Sequence, residues 1–201
     1  MELLERKSFL QTLAEYAAEA RQGNGRLVLV SGESGMGKTV LVEAFQQHIK
    51  DARWLWGACD GLLTPRPLGP LFDIGSQLDG EFADLCRRGA PRDQLFAAFL
   101  AEIDAPAAFT VAVMEDVHWA DEATIDLLSF LGRRLATARP SRGLTAPPPG
   151  RQQRRWDFAA VTATADSHSR GSRRGRRAAR SWQIGHLTDE RHGAGFLQSL
   201  R

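Results

Sequence analysis

Apolar residues recur along the first two thirds of the chain with two alternating periods. In residues 3–22, Leu10, Leu13, Ala14, Ala17 and Ala18 fall three or four apart, the spacing that gathers them on one face of a helix. Gly23-Asn24-Gly25 ends that pattern. Leu27-Val28-Leu29-Val30 follows as a short unbroken apolar run, which predicts a strand buried on both faces. Helical spacing then resumes at Val40, Leu41, Ala44, Phe45 and Ile49. Trp54-Leu55-Trp56-Gly57-Ala58-Cys59 and Phe109-Thr110-Val111-Ala112-Val113-Met114 predict two more strands. Between them residues 71–104 read as helical, with breaks at Gly80 and at Gly89-Ala90-Pro91. Asp121 predicts the cap of a last helix whose buried stripe is Thr124, Leu127, Leu128, Leu131 and Leu135. Strands alternating with helices predict an α/β fold with a parallel sheet flanked by helices.

The pattern stops near residue 138, and so does the balance of charge. Residues 1–138 hold 3 Lys and 10 Arg against 20 acids, a net −7; residues 139–201 hold 13 Arg, no Lys and 4 acids, a net +9. Two segments follow: a folded domain over 1–138, and an Arg-rich, low-complexity tail over 139–201 expected to be mostly disordered. Pro147-Pro148-Pro149 suits neither a helix nor a sheet interior. Within the tail only Phe158-Ala159-Ala160-Val161-Thr162-Ala163-Thr164 reads as a strand, and residues 193–201 as a short helix. The loss of lysine beside abundant Arg, Ala, Gly, Pro and Ser fits a natural disordered tail, or GC-rich codons read out of register.

Cys59 and Cys86 have neither C-x-x-C spacing nor a histidine cluster, which argues against a disulfide framework or a zinc site. The acidic, amphipathic start is unlike a signal peptide, and no apolar stretch has membrane-span length. The expected setting is cytoplasmic, away from membranes.

Two motifs carry chemistry. Gly32-Glu33-Ser34-Gly35-Met36-Gly37-Lys38-Thr39 is a complete G-x-x-x-x-G-K-T loop between a predicted strand and a predicted helix. Its glycines let successive backbone N–H groups turn inward onto phosphate oxygens, and the helix start adds its own unpaired N–H groups. The motif predicts ATP with Mg²⁺: Lys38 bridging the β- and γ-phosphates, Thr39 ligating the metal. The second motif is the acidic end of the third strand, Glu115-Asp116. Glu115 is the candidate for the magnesium shell, and Asp116 for polarising the attacking water. The order Glu then Asp puts the shorter carboxylate at the water, so binding is better supported than turnover. His118 and Trp119 are read as packing residues.

Together these runs resemble the ATPase module of the large ATP-binding LuxR-type transcriptional regulators, close to the Orc-like AAA ATPases and the signal-transduction ATPases called STAND. The likeness rests on Leu3-Leu4-Glu5-Arg6, the strand and loop of residues 27–39, Thr64-Pro65-Arg66-Pro67-Leu68-Gly69-Pro70-Leu71, and Glu115-Asp116-Val117-His118-Trp119-Ala120-Asp121-Glu122-Ala123-Thr124. It covers residues 1–138. It implies an ATP-dependent switch that self-associates or works on regulator domains. It also implies a strand between the loop strand and the acidic strand, due shortly after the Leu127–Leu135 stripe. Residues 141–149 cannot supply that strand. Residues 158–164 arrive late, so the sheet is expected to be incomplete and hydrolysis weak or absent. The alternative is a competent ATPase whose tail completes the sheet. Nucleic-acid binding through the arginines is a third reading. It is disfavoured by a tail with no lysine and almost no aromatic interleaving.

Overall fold

Neighbouring residues of the first strand enter different cores. The computed structural model describes residues 2–32, 37–62, 66–104, 109–137, 158–165 and 183–186. Strand β1 (Arg26–Gly32) sends Leu27 and Leu29 to one side and Val28 and Val30 to the other, as the two-residue period of a strand requires. Four helices cover the leucine side: α3 (Gly69–Ser76), α4 (Glu81–Arg87), α5 (Arg92–Ile103) and α6 (Glu122–Thr137). They bury Ile74, Phe82, Phe99 and Leu127 there. On the valine side α1 (Glu2–Arg21) and α2 (Lys38–His48) supply Leu13, Ala17, Leu41 and Phe45. Strands β2 (Arg53–Ala58) and β3 (Thr110–Glu115) divide in the same way, Leu55, Ala112 and Met114 against Val111 and Val113. Burial on both faces is the reason these strands read as unbroken apolar runs.

Two helix stripes differ from their sequence reading by one position. The buried face of α1 continues through Ala20, while Ala18 is exposed; on α2, Val42 is buried and Val40 is 48% exposed. Tertiary packing selects the buried face, and a turn of the helix about its axis by one position is enough to change it.

The sheet runs β2-β3-β4-β1-β5, with β4 at Phe158–Ala165 and β5 at Gln183–His186. This corrects the incomplete sheet. β4 lies parallel between the loop strand and the acidic strand, pairing Val161 with Val28 on one side and with Val113 on the other. A parallel crossover already needs a long connection, and loop entropy rises only slowly with length, so a strand that arrives late still reaches its slot. β5 pairs antiparallel with the outer edge of β1 and was not foreseen, four residues being too few for a period to show. Residues 141–149 and the helix expected over 193–201 lie outside the described residues.

At the opposite edge, helix α3 closes on β2. Gly57 faces Pro70 so tightly that a Cβ there would lie 2.2 Å from the Pro70 carbonyl oxygen. That approach lets side chains of α3 and of Gln77 at its C-cap act as a substitute strand. The Gln77 amide accepts from the Trp56 N–H at 3.1 Å and donates to its C=O, and the Asp73 carboxylate accepts from the Ala58 N–H at 3.1 Å. An edge occupied in this way offers little to another chain.

Candidate functional site

Because β1, β4, β3 and β2 run parallel, their carboxyl ends share one rim, and both motifs converge on it. Of the eight loop residues, Gly32, Gly37, Lys38 and Thr39 are described; Glu33, Ser34, Gly35 and Met36 lie outside the described residues. Gly37 has φ 77° and ψ 39°, left-handed backbone that a side chain would strain, and it turns the chain directly into α2. The N-cap of α2 is a glycine and so offers no side-chain cap of its own, and the helix start stands at this rim. Lys38 and Thr39 occupy that first turn.

Across the rim stands the end of β3. The Thr39 hydroxyl donates a 2.7 Å hydrogen bond to Glu115 Oε1, joining the two motifs over 76 residues of sequence. A hydroxyl and a carboxylate at one point form a hard-oxygen pair. That is the small protein contribution magnesium takes when phosphates and waters complete its shell, so these residues fit the ion. Asp116 follows with φ 53° and ψ 37°, left-handed without being glycine. Such a conformation costs on the order of 1–3 kcal/mol and persists only where the surroundings enforce it. Its side chain is largely exposed, with Oδ1 3.9 Å from His118 Nδ1, beyond hydrogen-bond reach. That ring nitrogen is buried and has no hydrogen-bond partner among the described residues. Trp119, 53% exposed, lies against Gly61.

Asp121 does more than cap a helix. Its Oδ1 accepts from the N–H groups of Ala123 and Thr124 at 2.9 and 3.1 Å, as the sequence led one to expect. Its Oδ2 takes the Thr124 hydroxyl at 2.5 Å and, at 3.1 Å, the backbone N–H of Leu68. Leu68 is buried and is the other described non-glycine residue with positive φ, at 60°. One carboxylate thus pins the strained turn that opens α3 to the turn that follows Asp116. Sequence reading missed this grip, and no periodicity could have shown a bond across 53 residues.

The rim is acidic, and Cys59 registers it. Burial pushes its thiol up to about 12, with the negative charges of Asp121, Asp116, Asp60 and Asp73 adding to the effect. It is no nucleophile at neutral pH. Among the described residues no group of three or more His, Cys, Asp or Glu side chains could hold a metal alone, and no helix is long and apolar enough to cross a membrane.

Comparison with known proteins bears on the family and the fold. A profile for the AAA ATPase domain matches residues 2–144. No curated protein matches the chain. Among solved structures, the ORC2 protein of Aeropyrum pernix, in ADPNP–ADP complexes, is similar at TM-score 0.53 and 15% identity, over 80% of this chain and 41% of that one. Cdc6p of Pyrobaculum aerophilum is similar at TM-score 0.51 and 17% identity, over 80% of this chain and 39% of that one. The chain therefore spans about two fifths of each relative, and at these identities the likeness is one of fold.

Proposed function

The chain belongs to the AAA ATPase domain family, and from that premise we propose that its sheet rim binds ATP with Mg²⁺ and serves as a nucleotide-controlled switch. The observation that carries the reading is the 2.7 Å bond from the Thr39 hydroxyl to the Glu115 carboxylate, which puts both candidate magnesium ligands at one point. In this reading the glycine loop would receive the phosphates, and Lys38 would neutralise the β- and γ-phosphates. Bound Mg²⁺ supplies charge neutralisation across those phosphates. Asp116, on the next residue of the same rim, holds the water that would attack.

Sequence alone ranks a binding switch with weak or absent turnover first. The pairing of Phe158–Ala165 between β1 and β3 favours the second reading, a turnover-competent ATPase with a completed sheet. The finer likeness to LuxR-type and STAND switches rests on the sequence runs of residues 64–71 and 115–124. Self-association or regulator domains are the partners such a switch would act on.

Lys38→Ala tests the site. Losing charge-assisted bonds to two phosphates should weaken ATP·Mg²⁺ binding by roughly a hundredfold in calorimetry, with the melting temperature kept. A variant binding as tightly as the parent would remove the assignment.

A further inference from the structure

Away from the rim, the hairpin of α3 and α4 holds a second recess. Its floor exists because Gly75 has no side chain: a Cβ there would lie 2.6 Å from Cys86 Sγ, so the two helices meet backbone to thiol. Beside that contact is a hollow of about 360 Å³, walled by Arg66, Phe72, Ala83 and Arg87. At about 30 Å³ for each water-sized group, it suits a body of on the order of ten non-hydrogen atoms.

The walls pair a half-buried ring, Phe72, with two exposed cations. The Arg66 guanidinium lies over the Phe72 ring, its central carbon 3.7 Å from the centroid. Stacking fixes the flat face and leaves the N–H edge for an acceptor in the plane. Among the described residues Arg66 has no carboxylate partner, whereas Arg87 pairs with Asp84 one helical turn before it. Both cations act on the floor, since their charges pull the Cys86 thiol down while burial, the larger effect, pushes it up. A guanidinium stacked on a ring beside a hollow, with no carboxylate partner among the described residues, is what selects an anionic head on an apolar body.

We propose that this recess is a binding site for a small organic carboxylate, whose head is held by the Arg66 edge and whose apolar part lies against the Phe72 ring. Arg66 stands two residues before Leu68, whose N–H the Asp121 carboxylate holds, so an occupant sits beside the turn that reaches the nucleotide rim. The proposal does not depend on the nucleotide reading.

The test is an NMR titration of the full chain with 4-phenylbutanoate, following the arginine side-chain N–H signals. Saturable shifts should centre on Arg66, with a dissociation constant of about 1 mM or tighter. The neutral isostere 4-phenylbutanol and the variant Arg66→Gln should each weaken binding about tenfold or more, the loss expected of one charge-assisted contact. Ser76→Leu, at an exposed position on the wall of the hollow, leaves Arg66 in place and should abolish it. Calorimetry of ATP in each variant reports separately on the rim and on folding. If Arg66→Gln fails to fold, the acid against the alcohol on the parent chain, with Ser76→Leu, decides. No saturation below about 20 mM, equal binding of acid and alcohol, or inorganic phosphate binding as tightly as the acid would each overturn the proposal.

Discussion

At the amino end of the sheet, arginines are closed onto acids. Arg53 donates to the Glu102 carboxylate and carbonyl, both at 2.6 Å, and to the Thr110 hydroxyl; Arg26 pairs with Glu19, and Arg21 with Asp51. At the carboxyl end the described carboxylate contacts are of another kind. Glu115 takes a hydroxyl, Asp73 and Asp121 take backbone N–H groups, and Asp116 sits on left-handed backbone. The two ends lie one strand length apart. One end has its charges matched within the fold and holds elements together. The other keeps oxygen donors in place at a cost in conformation, which suits it to gain a cation and a polyphosphate. The difference also ranks the pairs themselves. The exposed Arg21–Asp51 pair contributes little, whereas the multiply bonded, half-buried Arg53 fastens the end of α5 to β2 and β3.

The sharpest way to break this comparison is Asp116→Asn. If the carboxyl end does chemistry, this change should lower the parent's ATP turnover by at least about a hundredfold, as expected for a general base, with ATP affinity nearly unchanged. Equal turnover in the two proteins would move the role elsewhere, to Glu115 first. Next in size is Asp121→Ala, which removes a helix cap and the partner of the Leu68 N–H together. It should cost about 3 kcal/mol in urea unfolding. A loss under about 1 kcal/mol would show that the strained turn before α3 stands without it.

Arg53→Met probes the other end. Keeping the stem and removing the guanidinium should cost about 2 kcal/mol of stability, through the unpaired Glu102, and leave ATP affinity as it was. A fall in ATP affinity would mean the two ends are not separate. The smallest effect belongs to Cys59. Its folded value lies near 12 against 9 for the free thiol, so the folded state holds a proton that the unfolded chain gives up. Its contribution is full below pH 9 and is lost as pH rises toward 12. Cys59→Ser should therefore flatten the alkaline fall in stability over that window. An identical slope would show that neither burial nor the acidic rim raises this thiol.

The sequence by itself was enough for the α/β class, the strands β1, β2 and β3, the helix breaks at Gly80 and Gly89, the glycine loop, and the candidates Lys38, Thr39, Glu115 and Asp116. These are local matters. A period of two or 3.6, a run of β-branched residues or a glycine at a fixed offset lies within a dozen positions and needs no knowledge of what is opposite. Tertiary structure decided the rest. It selected residues 158–165 as the central strand, since a strand's place depends on which edges are unpaired and not on when it arrives. It turned the Asp121 cap into a clamp on Leu68, and it brought Thr39 to Glu115 across 76 residues. It also made the recess at Arg66 from a glycine, a thiol and a stacked ring that have no pattern in the chain. Contacts between distant residues follow from packing, and packing is a property of the whole sheet and its helices rather than of any window along the sequence.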